Sequence, residues 1–128
     1  MKSETAMKAP AVLLVDDDES TLELVAHVLR GGGYRTLEAA DAKEALEAAN
    51  SYEGPIPLLL TDIAMPGMNG VQLAKRICSQ RPETKVIYIT AFGDQFKLGP
   101  HALIPKPFTP VQLLAKVREA FSGNRRAA

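Results

Sequence analysis

Apolar residues along this chain fall into short unbroken runs, separated by longer segments in which they recur at helical spacing. AVLLV (11–15), PLLL (57–60), VIYIT (86–90) and ALI (102–104) are continuous rather than alternating, the pattern of strands covered on both faces. YRTLE (34–38) is half-polar and predicts an edge strand. The segments between these runs predict helices. One runs from about 19 to 30 and stops at Gly31-Gly32-Gly33, since glycine readily ends a helix. DAKE (41–44) has the form of a capping box and opens a helix that turns Ala42, Ala45, Leu46 and Ala49 inward. A third, from about 70 to 80, stacks Val71, Ala74, Ile77 and Cys78 on one face. The last begins TPVQ (109–112), with Thr109 as cap, Pro110 in the first helical position and Gln112 closing the box. Leu113, Leu114, Val117 and Phe121 form its buried stripe. Residues 1–9 and 122–128 read as flexible tails around one unit, 10–121.

Alternating strands and helices imply an α/β fold, a doubly wound parallel sheet with right-handed crossovers. Ligands in such folds bind beyond the carboxyl ends of the strands, where strand order reverses. Those ends carry Asp16-Asp17-Asp18, Thr61-Asp62, Thr90 and Pro105-Lys106. Four elements therefore deliver carboxylates, a hydroxyl and an amine to one sheet edge. Crowded carboxylates repel unless a cation joins them, and hard oxygen ligands with room for water and phosphate suit Mg2+. A carboxylate beside such an ion can attack a phosphoryl group, with Lys106 and Thr90 supplying charge and a donor to its oxygens. Lys106 is boxed between two prolines, which restrict its direction.

Composition narrows the picture. At 128 residues the chain predicts one domain with its own core. Basic and acidic residues balance at 15 each, so no overall field argues for nucleic acid or a membrane. The balance breaks locally: 16–19 read DDDE, whereas from Lys97 onward Lys97, Lys106, Lys116, Arg118, Arg125 and Arg126 face only Glu119. A single cysteine, Cys78, excludes an internal disulfide and fits a reducing compartment. The start, MKSETAMKAP, lacks a secretory apolar stretch, and no run approaches a membrane span. The expected location is cytoplasmic.

LLVDDDES, LLLTDIAMPGMNG, VIYITA and IPKPF, in this order, resemble the signature segments of bacterial response-regulator receiver domains, over roughly residues 11–121. The style is closest to receivers of hybrid sensor histidine kinases. The resemblance implies a flavodoxin-like, five-stranded sheet of order 2-1-3-4-5. It implies that Asp62 accepts a phosphoryl group from a histidine kinase or histidine phosphotransfer protein. Asp17 would ligate Mg2+ directly and Asp16 partly through water, with the Ala64 carbonyl and Asp62 completing the protein's share. Thr90 and Lys106 would contact the phosphoryl oxygens, and Lys106–Pro107 would be a cis peptide. The chain would not be a conventional enzyme, but a phosphoacceptor catalysing its own phosphorylation and dephosphorylation. Pro66-Gly67 and Asn69-Gly70 are read as shaping a tight turn beside Asp62.

The chain departs from that pattern between Thr90 and Lys106. The link 91–100, AFGDQFKLGP, is near the lower limit of ~10–12 residues for a crossover, so the fourth helix is expected to be shortened or missing. Leu103 stands where family members often carry Phe or Tyr. Both changes predict an output other than a conventional fourth-helix face, to a downstream protein partner. Asp18 fits a helix N-cap better than a ligand. His27 reads as solvated, Cys78 as core filler, and Arg125-Arg126 as a soluble tail. Two rival functions remain at this level. One is a haloacid-dehalogenase-like phosphatase using Asp16 and Asp18 with Ser20, which leaves Asp62 unexplained. The other is a degenerate receiver acting only as an interaction module. A flavodoxin is disfavoured because DDDE would repel a cofactor phosphate.

Overall fold

In a computed structural model, which describes residues 9–91 and 102–127, the continuous apolar runs form five strands. Four helices lie among the described residues. In chain order the elements are β1 (Ala11–Val15), α1 (Glu19–Gly31), β2 (Arg35–Ala39), α2 (Ala42–Ser51), β3 (Leu58–Asp62), α3 (Gly70–Gln80), β4 (Lys85–Thr90), β5 (Ala102–Pro105) and α4 (Pro110–Ala127). The strands pair in parallel in the order β2-β1-β3-β4-β5. This is the expected doubly wound, flavodoxin-like sheet, with the half-polar run at one edge. The helix expected to be short or missing between β4 and β5 falls on 91–100, and 92–101 lie outside the described residues.

β1 and β3 are buried at every position. Successive strand side chains point to opposite faces, so a fully apolar strand feeds two cores. Leu13, Leu59 and Tyr88 pack with Ala45, Leu73 and Ile77 of α2 and α3. Val12, Leu14 and Leu60 pack on the other face with Leu29, Leu113 and Val117 of α1 and α4. In β5 only Ile104 is buried, fewer than its apolar run predicts, because β5 is the other edge of the sheet.

The helices begin where their caps dictate. Thr109 and Gln112 exchange the two bonds of a capping box, at 2.9 and 3.1 Å. Asp41 caps α2 by accepting from Glu44 N at 2.8 Å, but Glu44 reaches back to Ala40 N rather than to Asp41 N. α4 runs on to Ala127, past the expected end at 121. Gly123 weakens a helix without ending it, and no proline follows.

Candidate functional site

The sheet register builds the site. Val15 lies opposite Thr61, so the next residues, Asp16 and Asp62, leave neighbouring strands side by side. Asp62 pairs with Ile89, and Thr90 pairs with Pro105 across the β4–β5 seam. Lys106 N donates to Thr90 O at 3.1 Å, fixing where the lysine departs from the sheet. The Lys106–Pro107 bond is cis.

One carboxylate oxygen from each of Asp16, Asp17 and Asp62 lies within 4.8 Å of the others, the only such group of three potential metal ligands among the described residues. Asp16 and Asp62 are buried, at 4% and 6% exposure, whereas Asp17 faces solvent. Lys106 Nζ reaches Asp16 Oδ2 at 3.3 Å and Asp62 Oδ2 at 3.4 Å. Asp16 Oδ1 also accepts from Asp18 N at 2.8 Å. Thr90 is buried at the end of β4, and exposed Ala64 stands two residues beyond Asp62.

The electrostatics are unbalanced. Burial pushes the Asp16 carboxyl above its ordinary value, although the Asp18 amide and Lys106 pull the other way. Burial likewise raises Asp62, reinforced by the negative charge of Asp16 and only partly offset by Lys106. Lys106 loses solvation too, yet the two carboxylates together hold its pKa above the usual value, so it stays an ammonium. One ammonium does not compensate two buried carboxylates and a third at the rim. This donor set, all hard oxygen with an uncompensated negative charge, fits a small divalent cation.

A groove of about 320 Å3 between β5 and α4, and a shallow one of about 680 Å3 along α3, are lined by other residues. Asp18 takes no part in the carboxylate group. It caps α1, accepting from Thr21 N at 3.3 Å, and its bond to the Thr21 hydroxyl lowers its pKa. His27 is exposed on α1. Cys78 is half-buried against the core, its thiol 3.5 Å from Thr84 O and shifted up by burial. Leu103 pairs with Tyr88, away from the carboxylates. Arg125 and Arg126 fall within the last turns of α4.

Residues 12–118 match the family model of the response regulator receiver domain. Among curated proteins, the transcriptional regulatory protein CpxR of Escherichia coli (strain K12) is 34% identical over 113 residues, 84% of this chain and 47% of the relative. The alkaline phosphatase synthesis transcriptional regulatory protein PhoP of Bacillus subtilis (strain 168) is 30% identical over 123 residues, 91% of this chain and 50% of its own. The chain thus spans about half the length of these relatives. Among solved structures, a CheY-like response regulator receiver domain protein from Methanospirillum hungatei JF-1 superposes with TM-score 0.83 at 31% identity, covering 94% of this chain and 100% of that one. The receiver domain from the hybrid histidine kinase CckA gives TM-score 0.77 at 32% identity, covering 86% and 97%.

Proposed function

This chain belongs to the response regulator receiver family, and we propose that it takes a phosphoryl group onto Asp62 from the phosphohistidine of a sensor histidine kinase or a histidine phosphotransfer protein. It then signals by a conformational change to a protein partner. The observation that carries this reading is the convergence of Asp16, Asp17 and Asp62 within 4.8 Å, with Lys106 Nζ 3.4 Å from Asp62. Residues 10–121 form the working unit. No helix among the described residues is long and apolar enough to cross a membrane, which accords with a cytoplasmic role.

Asp16, Asp17, Asp62 and the Ala64 carbonyl would hold Mg2+, Asp17 directly and Asp16 partly through water. When bound, the ion supplies charge neutralisation for the carboxylates and the incoming phosphoryl oxygens. An Asp62 oxygen attacks phosphorus, an O–P bond forms, and the P–N bond of phosphohistidine breaks with its electron pair leaving on the imidazole. Burial strips water from that oxygen, and its raised pKa makes it a better nucleophile once ionised. Lys106, held as an ammonium, faces the charge that develops on the phosphoryl group. Thr90, one residue past the Ile89 partner of Asp62, supplies a hydroxyl to the same group. Attack by water on the acyl phosphate releases inorganic phosphate and restores Asp62. The exposure of Asp17 and Ala64 suits a donor presented on another protein's surface.

Incubation with acetyl phosphate and Mg2+ tests the reading by intact mass. We expect a gain of one phosphoryl group, lost in Asp62→Asn. An adduct that survives Asp62→Asn but vanishes in Asp16→Asn would instead favour phosphatase-type chemistry, which the capping role of Asp18 already disfavours. Absence of both the adduct and Mg2+ binding would reduce the chain to an interaction module.

A further inference from the structure

The loop MPGMNG after β3 contains two glycines with different roles. Gly67 takes a left-handed backbone, φ +76°, and a Cβ there would meet nothing within 4 Å, so it serves the turn. Gly70 does not take a left-handed backbone. It is the first residue of α3, it is buried, and its N–H donates to Ile63 O at 2.9 Å. A Cβ at this position would overlap the carbonyl oxygen of Asp62 and stand 2.9 Å from Ile63 Cα. Both are backbone atoms, so no side-chain rotation relieves the clash.

We infer that Gly70 is a positioning residue for Asp62: its missing side chain lets α3 start directly against the Asp62 peptide, which sets that carboxylate opposite Asp16 and Lys106. The inference rests on Asp62 as acceptor and adds the element that holds it. Neither side of the contact yields easily. On the helix side, Asn69 and Gln72 exchange the bonds of a capping box at 2.9 and 3.0 Å, and Leu73 and Ile77 are fully buried below it. On the strand side, Thr61 and Asp62 are pinned by pairing with Val15, Tyr88 and Ile89. A single methyl group at 70 therefore cannot be accommodated without displacing one backbone against the other, and the Asp62 peptide is one of the two. Metal ligands tolerate about 0.2 Å of displacement, and misplacing a reacting group by ~1 Å costs about a hundredfold in rate.

The test compares wild type, Gly70→Ala and Ile77→Val, the last loosening the same helix without adding an atom against Asp62. In metal-free buffer, the backbone amides of Asp62 and Ile63 should shift in Gly70→Ala and stay in place in Ile77→Val. By calorimetry, Mg2+ affinity should fall on the order of tenfold in Gly70→Ala only. Labelling by acetyl phosphate at saturating Mg2+ should slow by about ten- to a hundredfold. If Gly70→Ala does not fold in buffer, the same measurements in trimethylamine N-oxide decide the matter. A folded Gly70→Ala with wild-type amides, Mg2+ affinity and labelling rate would overturn the inference. So would equal losses in Ile77→Val, which would assign the effect to stability alone. A wild type that binds Mg2+ but gains no phosphoryl group would defeat Asp62 as acceptor, while the metal-free amide shifts would still decide the placement by Gly70.

Discussion

The oxygens that Lys106 Nζ approaches, Asp16 Oδ2 at 3.3 Å and Asp62 Oδ2 at 3.4 Å, belong to two of the three carboxylates that a divalent ion would use. Ammonium and metal therefore compete for the same negative charge, and the sign of a substitution follows. Lys106→Met should raise Mg2+ affinity several-fold in a calorimetric titration, because one competitor is gone. On the proposed reading the same change should slow labelling by acetyl phosphate by about a hundredfold, since it would remove the charge that faces the phosphoryl group. A variant that binds Mg2+ more weakly would show that the lysine supports the metal site instead of competing with it. Lys106 was readable from sequence because two prolines and an apolar run mark the end of a strand. Asp18 was readable as a cap because it stands just before a helix. Gly70 serves close approach rather than the tight turn its neighbours suggest: sequence marks glycine, but only the fold shows whether torsion or close approach requires it.

At the scale of elements, most boundaries follow from local chemistry, and what was missed involves contacts across long stretches of chain. Arg81 had no signal of its own in the sequence. Its guanidinium donates to Gly54 O at 2.6 Å and to Ala49 O and Tyr52 O at 2.8 Å each, closing the carbonyl end of α2 from the carbonyl end of α3. The carbonyls at the end of α2 have no partner within their own helix, and a planar fork can serve Ala49, Tyr52 and the following Gly54 together where a lysine ammonium cannot match the geometry. Arg81→Lys should therefore cost about 2 kcal/mol in denaturant unfolding. Arg81 lies before β4, at the opposite end of the sheet from Asp62, so Mg2+ affinity should not change. A loss of affinity equal to that in Gly70→Ala would couple the two ends of α3. The extension of α4 to Ala127 was missed for a different reason, because glycine and asparagine lower helix propensity without setting a stop.

For the whole molecule, strand order came only through the family resemblance, since apolar runs predict strands but not their neighbours. The energetic cost of the site was legible in outline: the chain is neutral overall, yet it gathers carboxylates at one sheet edge. The folded pKa values of Asp16 and Asp62 lie above the ordinary 3.8, burial being the main cause. Between the ordinary value and the raised one, the folded state binds more protons than the unfolded state, so these two groups make stability fall as pH rises through that window. Above that window the full penalty remains. Asp62→Asn should thus melt higher than wild type in metal-free buffer at pH 7, by about 3 °C for a gain near 1 kcal/mol. The difference should shrink as pH falls through the raised pKa of Asp62, where the wild-type carboxyl takes up its proton. Mg2+ should raise the wild-type melting temperature in proportion to its binding and do so less in the variant. A lower metal-free melting temperature for Asp62→Asn at pH 7 would mean that the ion pair with Lys106 outweighs desolvation, and that the Asp62 carboxylate is stabilised by the fold rather than held against it.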